Sequence, residues 1–191
     1  IAILIFYLFP IFTGLMLAAL GWQKLSLTMS ISSVIAFLGI ALALGAEFIN
    51  LNGWGVVYAA VAAAGLATIS VVSNRLMANE DARLVTLHMC ISATLILIIV
   101  CLFNGEFALP KTNSGWISII TSHAFFAYAT IAFFIAISLI GAGETTFYNN
   151  IEPIMAVGVG FLFLNQNLTI LQYVGIFIVL IALLYNGKKA T

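Results

Sequence analysis

One carboxylate, Glu152, lies well inside an apolar run, and the chemistry of the chain is expected around it. Thr145, Asn149, Glu152, Ala156 and Gly160 follow one another at helical spacing and share one face of a helix. A charged side chain near the centre of a bilayer costs from ~2.5 kcal/mol upward and normally faces a bundle interior or a wet cavity. Glu152 is therefore expected to point inward, where it can pair with a cationic group or exchange a proton. The other role open to it is a hydrogen bond that locks helix packing. Pro153 lacks an N–H and clashes with the carbonyl four residues back, which would leave the carbonyl of Asn149 free beside the carboxylate. Pro10 would free the carbonyl of Phe6, next to Tyr7, in the same way. A weaker group is His123, on one helical face with Ala127 and Thr130 and with Tyr128 one step round. The candidate substrate-binding set is thus Tyr7, Pro10, Asn149, Glu152, Pro153, Tyr128 and His123. Shape-only kinks at the prolines and a packing role for His123 are the alternatives.

Enzymatic chemistry has little to run on. The chain holds two His and two Cys, Asp81 is its one aspartate, and His-Glu-x-x-His, Gly-x-Ser-x-Gly and Gly-rich phosphate-loop patterns are missing from it. No catalytic residue, cofactor or metal is expected. His88, beside Arg83, reads as an interfacial residue, and Ser70, Ser73 and Asn74 as groups that bond back to the chain. Cys90 and Cys101 would lie ~16 Å apart along one helix, too far for a disulfide.

Elements that could hold these residues follow from composition. Of 191 residues, 64% are apolar and 6% charged, against ~25% charged in soluble domains, so a soluble globule is excluded. Apolar runs broken by polar clusters place spans near 2–20, 28–46, 54–73, 84–103, 116–140, 144–164 and 168–186. These runs are apolar all round and too long for barrel strands, so the expected fold is all-α, a polytopic membrane bundle with seven transmembrane helices. Lys24, Arg75, Arg83, Lys188 and Lys189 fall on one side of the alternating gaps and Lys111 alone on the other, which puts the C-terminus in the cytoplasm. Trp54, Tyr58 and Trp116 then sit at outer boundaries. Ala59, Ala63 and Ala67, thickened by Ala60 and Ala64, mark a span that packs closely. Zero net charge excludes nucleic acid as a partner.

Laid on itself at an offset of 143 residues, the chain pairs Pro10-Ile11 with Pro153-Ile154, Gln23 with Gln166, Leu25-Ser26 with Leu168-Thr169, and Ile35 with Ile178. Each copy has an apolar helix with an early proline, a tight polar turn and a second apolar helix. The second proline helix is the fourth of five spans from residue 54 onward, so a repeat holds five and successive copies must insert in opposite senses. The expected organisation is residues 1–47 as the last two helices of a truncated first repeat and 54–187 as a complete second one. Three helices are expected upstream.

In Tyr7-Leu8-Phe9-Pro10, Gln23-Lys24-Leu25-Ser26, Ile151-Glu152-Pro153-Ile154, Gln166-Asn167-Leu168-Thr169 and Leu171-Gln172-Tyr173-Val174-Gly175, the chain resembles the drug/metabolite transporter superfamily, specifically its EamA-type domain. The likeness covers essentially the whole chain, as helices four to ten of ten. It departs at Trp22-Gln23 and Asn165-Gln166, where the family often has Gly-Glu, and at Ser32, where a glycine is frequent. The resemblance implies a secondary transporter of small metabolites working by alternating access, in the bacterial inner membrane. Its expected partners are a small-molecule substrate and the bilayer, with proton coupling and a homodimer as open possibilities. A non-transport seven-helix protein, a receptor or an intramembrane enzyme, is the alternative; a retinal pump is disfavoured because the last span has no mid-helix lysine.

Overall fold

A computed structural model of the chain describes residues 1–23, 26–45, 52–105 and 109–190, apart from the side chains of 188–190. Lys24, Leu25, Glu47 and Glu106, and the side chains of Lys188 and Lys189, lie outside the described residues. The elements are α1 (Ala2–Phe6), α2 (Phe9–Ala19), α3 (Leu27–Ala43), α4 (Gly53–Leu76), α5 (Ala82–Asn104), α6 (Asn113–Tyr148), α7 (Ile151–Phe163) and α8 (Ile170–Ala190), with no strand among the described residues. The chain is a polytopic helical bundle. In lipid a spanning backbone must satisfy its own hydrogen bonds, and helices do so within each segment. Five stretches are long and apolar enough to cross a membrane, and the shorter apolar helices α3 and α7 join them.

The spans read from hydropathy match these helices to within a few residues, and the breaks between them have local causes. Gly141, at φ 85° and ψ 161°, interrupts α6. This backbone conformation is open to glycine because it has no Cβ, and it separates the spans expected at 116–140 and 144–164. Two further breaks lie inside spans, at Tyr7–Leu8 between α1 and α2 and at Asn149–Asn150 between α6 and α7. Pro10 and Pro153 each stand in the first turn after a break, where a missing N–H leaves no bond unmade. The prolines therefore begin new helices. This corrects the expectation of a free carbonyl at Asn149, which accepts the Glu152 N–H at 3.0 Å.

The chain forms two compact units, residues 1–72 with 142–191, and residues 73–141. This is a division by packing, not by repeat. In the second unit Asp81 caps α5 through the Arg83 N–H at 2.8 Å, and Gly105 ends it in a left-handed turn. Most of α5 presents apolar side chains outward, from Leu95 to Val100, as a lipid-facing helix does. Ser73 donates to the Met89 sulfur at 3.4 Å, whereas Ser70 in the first unit bonds back to Leu66 as its position predicts.

The first unit is organised by α3 against α8. A Cβ on Gly175 would meet the Gly39 carbonyl at 2.5 Å, and one on Gly39 would meet Val179 at 2.7 Å, so the two backbones touch where neither carries a side chain. Around that crossing α3 buries Ser32, Ser33, Ala36, Gly39, Ile40 and Ala43, and α8 buries Gly175, Val179, Ala182, Leu183 and Asn186. At the offset of 143 residues the two sets coincide, with Ile176, half-buried, opposite Ser33. The helix starts coincide as well. Ser26 Oγ accepts from the Met29 N–H at 3.4 Å and Thr169 Oγ1 from the Gln172 N–H at 3.3 Å. In the turns before them, the Gln23 and Gln166 N–H groups donate to the Leu17 and Gly160 carbonyls, both at 3.3 Å. Ala59, Ala63 and Ala67 form the buried stripe of α4 that their spacing predicts.

The crossing has a direct test. Gly175→Val is expected to destabilise the protein by about 3 kcal/mol or to prevent folding, because the added atoms meet backbone that cannot move aside. Gly14→Ala, whose Cβ would find nothing within 4 Å, is expected to leave stability unchanged or slightly raised. Thermal unfolding of both variants in detergent checks the contrast.

Candidate functional site

The breaks at residues 7–8 and 149–150 set up the polar site of the first unit. Because α7 begins at Ile151, Glu152 lies in its first turn, where the helix dipole favours a negative charge. Asn149, the last residue before the break, donates its side-chain N–H to Glu152 Oε2 at 2.9 Å. The hydroxyl of Tyr7, from the other break, lies close enough to Glu152 to interact with its carboxylate. Tyr7 is held in place by an aromatic group, its ring centroid 6.0 Å from Phe6 and 6.4 Å from Phe9. Two discontinuous helices, far apart in sequence, thus meet at one carboxylate.

The surroundings differ from expectation. Glu152 is exposed on the unit rather than enclosed, while its partner Tyr7 is buried. The supposed polar face is not continuous either, for Thr145 and Gly160 are buried and Glu152 and Ala156 exposed. A helix running unbroken from 145 to 160 would align them; the break at Asn149–Asn150 re-aims the first turn of α7. Asn150, buried, closes the break by donating to the Phe147 carbonyl at 2.9 Å. Thr145 Oγ1 is buried with no hydrogen-bond partner among the described residues. Its usual acceptor would be the carbonyl four residues back, and that residue is the non-helical Gly141.

Pro10 and Pro153 are both buried, and Pro10 forms part of a cavity wall. His123 and Tyr128 belong to the second unit and are exposed there. His123 Nδ1 lies 2.8 Å from the Ile119 carbonyl, one turn back on its own helix. His88 makes the same bond to Leu84 at 2.7 Å. No group of three potential metal ligands occurs among the described residues.

Two polar ties escaped the sequence reading. Glu144 is half-buried and accepts from the buried Asn186 amide at 3.0 Å. Gln172 Nε2 donates to the Ala43 carbonyl at 3.3 Å, at the end of α3. The available signal was position, since Asn186 falls in register with the buried Ala182 and Leu183.

A family model describing EamA-like transporters matches residues 53–187, well over half of the chain. The chain belongs to the EamA-like transporter family. It is a membrane transporter. No curated protein gave a significant match. In this EamA-like transporter the matched stretch contains Asn149, Glu152 and Pro153, while Tyr7 and Pro10 come from the helices before it.

The unequal partnering of neighbouring polar groups in the EamA-like fold is testable by substitution. Thr145→Val removes a hydroxyl that makes no bond and is expected to leave stability unchanged or raise it by up to ~1 kcal/mol. Asn150→Leu removes the side-chain donor to the Phe147 carbonyl, which keeps the backbone N–H of residue 150 at 3.2 Å, and is expected to cost about 1 kcal/mol. Unfolding midpoints of the purified variants, compared with the parent, measure both.

Proposed function

We propose that this transporter carries small metabolites by alternating access, and that cargo engages the Glu152 carboxylate in competition with Tyr7 and Asn149. What carries the reading is the proximity of Glu152, at the start of one half-helix, to Tyr7 at the break of another, beside the hydrogen bond it accepts from Asn149. A cationic cargo group, or a proton, that neutralises the carboxylate weakens both interactions. The two broken helices are then free to shift relative to one another. Neutralisation at this point thereby couples occupancy to movement, as discontinuous helices do in secondary carriers.

The coincidence of buried positions in α3 and α8 at one offset supports inverted repeats, with the 54–187 segment as one copy. In such an arrangement the two copies rock against each other about their shared contact, here the Gly39–Gly175 crossing. The bias of basic residues to one set of gaps supports a cytoplasmic C-terminus, and the bacterial inner membrane remains the proposed location.

Reconstitution into vesicles loaded with a pH-sensitive dye, challenged with a panel of amino acids, amines and other small metabolites, tests the role of Glu152. Glu152→Gln is expected to abolish or uncouple flux while the protein still inserts. Tyr7→Phe, which loses the hydroxyl beside the carboxylate, is expected to slow flux about tenfold. Wild-type flux with wild-type pH dependence in Glu152→Gln would refute the assignment.

A further inference from the structure

A cavity of about 110 Å³ lies between α2 and α3, running from Pro10 toward the turn at Gln23 and closed on one side by Gly143. Its polar lining comes from Gln23, Ser26, Ser30 and Ser33, and no lining side chain among the described residues carries a charge. The hydroxyls are not equivalent. Ser30 and Ser33 donate to the Ser26 and Met29 carbonyls at 3.1 and 2.8 Å, so their lone pairs remain to accept. Ser26 Oγ accepts from the Met29 N–H, so its own proton remains to donate. With the Gln23 carboxamide, the described part of the wall offers donors and acceptors together and no ion. We infer that this cavity is a binding compartment for a small, uncharged, hydroxyl-bearing molecule of the size of a triol.

The corresponding place in the other half is lined differently. At the offset of 143 residues, Gly14, Ser30, Ser33 and Val34 correspond to Val157, Tyr173, Ile176 and Phe177, each larger. Tyr173 there packs edge-on against Phe161, with ring centroids 6.5 Å apart. Met29 corresponds to Gln172, whose amide is already engaged by Thr169 and Ala43. The Gly14, Ser30, Ser33 and Val34 positions are thus bulkier in the other half, while Leu15 and Leu17 correspond to the smaller Gly158 and Gly160, and Ser26 to the hydroxylated Thr169. A Cβ at Gly14 would meet nothing within 4 Å, which marks this residue as the point where the cavity can be filled. The size agrees too: a liquid water occupies ~30 Å³, and an apolar cavity of ~150 Å³ takes a benzene ring. The compartment starts a helical turn from Tyr7, and the inference rests on the transport reading only in identifying its occupant as cargo.

Equilibrium binding to the full chain in lipid nanodiscs tests this without any flux. Glycerol is the probe, followed by saturation-transfer NMR, with 1-propanol as a competitor of similar size and one hydroxyl. Magnetisation transfer to glycerol is expected in the parent, lost in Gly14→Leu, and reduced about fivefold in Ser30→Ala and in Ser33→Ala, one hydrogen bond each. If Gly14→Leu does not fold, the serine variants decide, since alanine maintains the helix. No transfer in the parent, an undiminished signal in the serine variants, or displacement of glycerol by equimolar 1-propanol overturns the inference. The last two results would make the cavity an apolar slot. Because binding and flux are read separately, this inference can fail while Glu152→Gln still abolishes transport, and the reverse.

Discussion

Helices surrounded by acyl chains gain little by hiding apolar side chains from one another, because lipid is as apolar as leucine; they associate where backbones can approach. In the first unit that condition is met at Gly39 and Gly175, and much else follows from it. With α8 drawn against α3 at that point, the side chain of Gln172 can reach the unpaired carbonyl of Ala43 at the end of α3. Such terminal carbonyls lack an intrahelical donor, and lipid supplies none. One helical crossing without side chains thus permits a polar tie that an ordinary crossing would hold out of reach.

The same scarcity of donors explains how a carboxylate can stand in a membrane helix. Glu152 begins α7 instead of interrupting it, at the positive end of that helix's dipole. Asn149 donates a hydrogen bond to the carboxylate and Tyr7 stands close to it. All of these depend on the break, and the break depends on Pro153, which cannot donate to the preceding turn. A proline three residues after Asn150 therefore does more than bend a helix: it creates a second N-terminus in the interior of a span, with the electrostatics of one.

The helices were legible in the sequence because hydropathy and helix length are local properties, and the glycine at 141 and the prolines at 10 and 153 carry their own backbone preferences. The details at the breaks were not. A proline can kink a continuous helix or start a new one, and which occurs depends on whether the preceding residues find partners outside the helical ladder. Asn150 finds one in the Phe147 carbonyl, a bond no spacing rule shows. The pairing of Glu144 with Asn186, forty-two residues on, is tertiary. The proximity of Tyr7 to Glu152 was approached only indirectly, through the matched prolines, since neither residue's own neighbourhood points to the other.

The two ties of α8 bear on how inverted copies could exchange roles. Gln172 near its start holds α3, and Asn186 near its end holds Glu144 of α6. At the offset of 143 residues their counterparts in α3 are Met29 and Ala43, neither of which can donate from its side chain. Copies identical in sequence would give two states of equal energy, because the exchange of conformations would only relabel them. Here the exchange would leave the buried Asn186 amide and the half-buried Gln172 amide without the partners they now hold, and an unsatisfied buried amide costs on the order of 1–3 kcal/mol. On the inverted-repeat reading, the described arrangement is therefore the resting one. On the transport proposal, the energy to leave it comes from what binds at Glu152, where both broken helices meet a single carboxylate.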